Sequence, residues 1–136
     1  MANRKDITMY KLRRIWLALG AVWVATIMYL SLTPHPPEPM HFLNADKLEH
    51  ALAYSFLMLW FCQVYQQRAP RILVAGLLVA LGVGIEYLQR MTAYRVFDYA
   101  DMLANGAGVL LSFIFINMGL GRIGVMLETK FIKIAE

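Results

Sequence analysis

Residues 44–65 read NADKLEHALAYSFLMLWFCQVY. Asp46, Lys47, Glu49 and His50 stand at the mouth of an apolar run long enough to cross a bilayer, and the reading of that run decides the fold. The rest of the chain supports a membrane reading. Its 136 residues are 60% hydrophobic and 16% charged, with a mean hydropathy of +0.52. Soluble domains carry roughly a quarter charged residues and just under half apolar ones. The composition therefore predicts an all-α membrane protein of one domain, with apolar surface turned to lipid. The single Cys62 lies inside an apolar run, which excludes an intramolecular disulfide and reads as a small buried side chain. The formal charge of +4 does not point to nucleic acid, because most charges flank apolar runs.

Four such runs are present: 15–32, 48–65, 72–88 and 102–120. Each is near the lower end of the roughly 17–25 residues that a membrane helix needs. Strands are disfavoured by the absence of sustained alternation and because membrane barrels need many more segments. Lys and Arg set the expected orientation. Ten of the 13 fall before the first run, between the second and third, or after the fourth; only Lys47, Arg90 and Arg95 fall on the other side. The predicted architecture is a four-transmembrane-helix bundle with both termini cytoplasmic. It comprises a basic N-terminus (1–14), the membrane domain (15–120) and a tail (121–136). A cleaved signal peptide is the competing reading of residues 1–33, but YLSLTPHPP lacks a good cleavage site.

The connection TPHPPEPMHFLNA holds four of the five prolines and reads as a stiff extended link. In the tail, Ile123, Leu127, Phe131 and Ile134 share one helical face, with Arg122, Glu128, Lys130 and Lys133 mostly elsewhere. That pattern predicts a short amphipathic helix on the cytoplasmic membrane surface, with a partner-binding or frayed tail as alternatives. Ala80/Gly84 and Ala104/Gly108 have the spacing that lets helix backbones approach closely.

The remaining polar residues fall at one depth. Asp46, Lys47, Glu49 and His50 open the second run, Glu86 and Gln89 close the third, and Arg95, Asp98, Asp101 and Asn105 lead into the fourth. In this topology all lie at the outer membrane boundary. Asp46, His50 and Tyr54 share a helical face, as do Gly82, Glu86 and Gln89, and then Asp98, Asp101, Asn105, Gly108 and Ser112. Lipid exposure of these stripes is costly, so they are expected to converge on one outward-opening pocket. Plainer roles are available to some. Asp46 and Glu49 have capping-box spacing, Asp98 or Asp101 can cap the fourth helix, and Arg90 can snorkel to headgroups. Glu86, about one turn inside its run, needs a partner from Arg95, Lys47 or His50.

DKLEH, EYLQ and RVFDYADMLANGAG resemble the motifs of the VanZ-like family, small bacterial membrane proteins named for a member associated with teicoplanin resistance. The likeness carries D-K-x-x-H onto Asp46, Lys47 and His50, and E-x-x-Q onto Glu86 and Gln89. It carries R-x-x-D-x-x-D-x-x-x-N-x-x-G onto Arg95, Asp98, Asp101, Asn105 and Gly108. SLTP at 31–34 is similar to the family's exit from its first helix. The resemblance implies a role in the envelope at the bacterial cytoplasmic membrane, but no particular reaction.

Two functions stay open from the sequence. In the first, the chain is an enzyme acting on a lipid-linked envelope precursor or an anionic headgroup. His50, Glu86, Asp98 and Asp101 serve general acid/base chemistry, while Asp46, Lys47, Gln89, Arg95 and Asn105 bind substrate. The same His50, Glu86, Asp98 and Asp101 can instead hold a divalent metal, Mg²⁺ or Mn²⁺ by their hard oxygens, or Zn²⁺ through His50. No H-E-x-x-H, paired-cysteine or glycine-rich phosphate motif is present. In the second, it is a non-catalytic accessory protein binding an anionic lipid, glycan precursor or antibiotic-like ligand. An ion conduit is disfavoured, because the inner halves of the runs offer too few polar side chains for a relay.

Overall fold

The computed structural model describes residues 4–37 and 42–135, with side chains placed for 12–37 and 42–130. The described residues are helical, without strands. They form α1 (Arg4–Leu32), α2 (Ala45–Val64), α3 (Arg68–Arg90) and α4 (Tyr99–Asn117), then a 3₁₀ turn (Leu120–Arg122) and α5 (Ile123–Ala135). Three helices are long and apolar enough to cross a membrane: Leu12–Leu32 of α1, α3 and α4. The second run differs from its expected equal standing with the others. Its helix begins at Ala45, and the charges at 46–49 dilute its apolar character. Residues 38–41 of the proline-rich link lie outside the described residues.

Local chemistry sets the boundaries. Asn44 (φ 61°) takes the left-handed conformation before α2, a position asparagine tolerates. It makes no side-chain cap, and Asp46 sits within the first turn, so the expected capping box does not form. Pro70 occupies the first turn of α3, where its missing N–H costs no helix bond. Asp98 caps α4 by accepting from Ala100 N–H at 2.8 Å. Gly119 (φ 103°) ends that segment in the left-handed form that glycine adopts most readily.

α2 is the central element, touching every other helix and most extensively α4. It contributes Tyr54, Leu57, Met58 and Cys62 to a small core that Leu78 and Val109 complete. Along the α1–α2 seam Trp16, Trp23, Phe56 and Trp60 stack at 4.8–6.2 Å between centroids. Trp60 Nε1–H donates to Trp16 O at 3.0 Å. Only 6% of the apolar stretch of α1 is buried, and Leu73, Leu77, Leu103, Leu110 and Ile114 are exposed on α3 and α4. An apolar exterior around a small core is what lipid as solvent permits.

The end of the molecule at α5 is tied by polar groups. Gln63 Nε2 donates to Leu120 O and Gln63 Oε1 accepts from Gly124 N–H, at 2.9 and 2.8 Å. Gln66 Nε2 donates to Gly121 O at 2.9 Å, and Arg71 Nε to Tyr65 O at 2.7 Å. One charged residue of the tail turns inward, off its apolar face. Glu128 lies on the inward face, buried, and accepts from Trp16 Nε1–H at 3.0 Å, while Ile123, Met126 and Leu127 point outward. Gly121 and Gly124 are buried as well, and a Cβ on Gly124 would meet Gln63 Cβ at 3.1 Å and Trp16 at 3.5 Å. Burial raises the Glu128 carboxyl above the ordinary glutamate range, and the Trp16 bond offsets part of the shift. The side chains of Phe131, Lys133 and Ile134, and of Arg4, Lys5 and Lys11, lie outside the described ones.

Candidate functional site

At the opposite end, four helix termini meet. α2 starts there, α3 ends, α4 starts, and α1 is drawn in by two bonds to its last carbonyls. Gln89 Nε2 donates to Ser31 O at 2.7 Å, and Tyr94 O–H to Leu32 O at 2.9 Å. The segment between α3 and α4 is pinned by Thr92 Oγ1 donating to Gln89 O at 2.7 Å and by Phe97 packing between Tyr87 and Tyr99. Arg90, exposed, lies over the Phe97 ring at 5.7 Å.

Lys47 is the hub of the outer layer. Its Nζ lies 2.7 Å from Asp46 Oδ2, 2.6 Å from Asp98 Oδ2 and 2.6 Å from Asp101 Oδ1. Burial works against its charge, but the three aspartates more than offset that, holding its pKa above the ordinary lysine range. Lys47 in turn holds Asp46 and Asp98 below the usual carboxylate range, with Ala100 N–H reinforcing Asp98. Lys47 thus ties α2 to α4.

The inner layer is His50, Glu86, Asp101 and Asn105. His50 Nδ1 is 3.0 Å from Asn105 Oδ1, and His50 Nε2 is 3.6 Å from Asp101 Oδ2. Glu86 is fully buried; its Oε2 accepts from Asp98 N–H at 3.2 Å, while Oε1 has no hydrogen-bond partner among the described residues. One ligand atom from each of His50, Glu86 and Asp101 lies within 4.8 Å of the others. No ion pair to Glu86 forms among the described residues; of the three expected partners His50 is the one grouped with it, and the Asp98 N–H supplies its hydrogen bond. Tyr54 O–H is also buried without a partner among the described residues. A Cβ on Gly82 would meet Asn105 Nδ2 at 2.9 Å and Tyr54 Oη at 3.2 Å, so glycine there makes room for both side chains.

Beside this cluster, a cavity of about 850 Å³ runs between α1 and α2. Ile27, Leu30, Leu52, Ala53 and Phe42 give it apolar walls, and Asp46, Glu49, His50, Tyr54 and Arg95 a polar end. Arg95 is half-buried there and pairs with no carboxylate among the described residues.

The structure thus joins His50, Glu86, Asp101 and Asn105 in one inner group, and Asp46, Lys47 and Asp98 in an ion-paired outer one. Arg95 sits apart at the cavity. Gln89 is buried against α1. Of the four residues expected to hold a metal, Asp98 is engaged by Lys47 and by its cap, and the other three converge. The α1 side of the cavity escaped the sequence reading, since Ile27 and Leu30 look like any lipid-facing pair. Tyr54, one turn beyond His50, was signalled by spacing.

Fold and site define a small all-helical membrane protein with a buried polar centre where its helix ends meet. Residues 5–120 match the VanZ/LLP1 family, and the chain belongs to that family. It is also 29% identical over 106 residues to an uncharacterized protein of Schizosaccharomyces pombe, covering 76% of this chain and 63% of that one. The chain therefore spans less than two thirds of that relative's length. No solved structure matches.

Proposed function

We propose that the protein is an integral membrane enzyme acting on an anionic, lipid-linked headgroup. The observation that carries this reading is the convergence of His50, Glu86 and Asp101 beside the cavity. An acceptor-lined centre next to an apolar groove suits an amphiphile. Its chain lies along Ile27, Leu30 and Leu52, and its headgroup reaches Arg95 and His50. Arg95 supplies the cation for a phosphate or carboxylate, whereas Lys47 holds the helices in register. His50 and the carboxylates exchange protons with the reacting group.

In this reading α1 to α4 form a four-span bundle in a bacterial cytoplasmic membrane, with both termini inside and the polar centre facing out. The clustering of Arg13, Arg71 and Arg122 toward the α5 end supports that orientation. The fission yeast relative favours a headgroup chemistry common to bacterial and eukaryotic membranes over one confined to teicoplanin resistance.

The test is incubation of the purified protein, in lipid nanodiscs, with a panel of lipid-linked cell-wall intermediates and anionic phospholipids, read by mass spectrometry. The enzyme reading expects a changed headgroup on at least one member. Tight binding with every substrate unchanged would replace it with the accessory-protein reading.

A further inference from the structure

The inner group has a stereochemical tension. With Asn105 Oδ1 accepting from His50 Nδ1–H, the other ring nitrogen, Nε2, is turned toward the carboxylates. It stands 3.6 Å from Asp101 Oδ2. One carboxylate oxygen of Glu86 lies within 4.8 Å of a ligand atom of each, and Glu86 Oε1, on a residue with no exposed surface, has no donor among the described residues. Lys47 does not relieve this. It approaches Asp101 through the other oxygen, Oδ1, and its remaining contacts are Asp46 and Asp98. Two carboxylates and an imidazole converging at low dielectric call for a proton or a cation between them.

We propose that His50 Nε2, Asp101 Oδ2 and Glu86 Oε1 bind a divalent transition-metal cation, Zn²⁺ or Mn²⁺, with Asn105 fixing the imidazole tautomer from behind. The inference rests on the polar cluster being the working site, with these three side chains then serving the reaction as ligands instead of as direct proton carriers. Tetrahedral ligands at metal bonds of about 2.1 Å stand about 3.4 Å apart. The His50–Asp101 spacing of 3.6 Å already fits, and Glu86 closes from within 4.8 Å by a small side-chain adjustment. One imidazole and two carboxylates leave coordination positions open, the pattern of a catalytic rather than a structural site. The cluster borders the cavity through His50, which is part of the lining. The Nδ1–H···Oδ1 bond to Asn105 is the outer-shell partner that metal-binding histidines generally carry. Asp98 takes no part, since Lys47 and the N-cap of α4 engage it.

The test uses the full chain in detergent, stripped with chelator and then equilibrated with Zn²⁺ or Mn²⁺, without substrate. Bound metal is counted by mass spectrometry, and Mn²⁺ coordination is read by electron paramagnetic resonance. About one ion per chain is expected. Glu86→Gln and His50→Ala should each lower affinity at least about tenfold, and Asn105→Leu by about 10–100-fold. Glu128→Gln, at the far end, should bind like wild type. Gel filtration identifies any variant that has lost its fold, and the near-isosteric Glu86→Gln keeps the test decisive if His50→Ala fails. No bound ion in the wild type, or equal binding by Glu86→Gln and His50→Ala, overturns the proposal. Turnover that survives chelation overturns the metal and leaves the headgroup reading standing. Stoichiometric binding with no turnover on any lipid does the reverse.

Discussion

Gly108 offers the sharpest test of how the site is assembled. It faces α2 where the two helices cross. A Cβ there would fall onto the carbonyl oxygen of Ala51, with the Ala51 carbonyl carbon at 2.8 Å and Cα at 3.0 Å. All three are backbone atoms within a helix, so none can rotate away. Ordinary carbon–carbon contact lies at about 3.5–4.0 Å and the oxygen contact is tighter still, so α2 and α4 must part by about 1 Å or more. Overpacking of this kind costs about 1–3 kcal/mol, and the gain from replacing a helical glycine by alanine, about 1 kcal/mol, offsets only part of it. Ala51 adjoins His50, and Gly108 lies one turn from Asn105, so the same displacement stretches their 3.0 Å bond toward the limit of hydrogen bonding. Gly108→Ala should therefore unfold earlier in a denaturant titration in micelles, followed by circular dichroism. Gly76→Ala and Gly84→Ala are the controls, since a Cβ at either meets nothing within 4 Å. They should match wild type or gain up to about 1 kcal/mol. A Gly108→Ala protein as stable as these controls would refute the close α2–α4 crossing.

Other consequences are equally accessible. Lys47→Met strips Asp101, whose side chain is 12% exposed, of its cation, and should cost about 1–3 kcal/mol in the same titration; an unchanged midpoint would deny Lys47 its bridging role. The lowered pKa values of Asp46 and Asp98 give a stability contribution that is fully present above their ordinary 3.8 and lost as pH falls through the lower folded values. An acid titration should show that loss in wild type and a weaker one in Lys47→Met. Glu128 has the opposite sign: its raised pKa means docking of α5 is strongest below the ordinary 4.5 and weakens as pH rises through the folded value. Glu128→Gln keeps the acceptor for Trp16 and should hold α5 in place at all pH values, whereas Glu128→Lys should release it, seen as faster proteolysis of the tail.

Much of the site was legible in the sequence because helices convert spacing into direction. Asp46 and His50 at i, i+4, Glu86 and Gln89 at i, i+3, and Asp101 and Asn105 at i, i+4 each had to share a face. Lipid leaves few places for such faces to go. What spacing does not carry is which neighbour a face meets. Gln89 turns to a carbonyl of α1, Lys47 collects three aspartates, and Arg95 is left at the cavity. Ala104–Gly108 and Ala80–Gly84 are the same pattern in sequence, yet only Gly108 is pressed against a backbone. The tail holds back one contact for a related reason. Its pattern sets Glu128 off the face of Ile123 and Leu127, but does not show that Glu128 finds a donor in Trp16, 112 residues away, and is buried. Capping was likewise decided by a single dihedral angle, that of Asn44, which no side-chain pattern reveals.

The central claim is that Glu86, buried beside His50 and Asp101, does chemistry on a headgroup. The direct measurement is turnover of a lipid-linked substrate by wild type and Glu86→Gln in identical nanodiscs, with folding verified in both. The account predicts that Glu86→Gln stays folded and binds the lipid while its kcat falls by about 10²–10⁴, the range of a lost acid/base group. Wild-type turnover in a folded Glu86→Gln protein would contradict it.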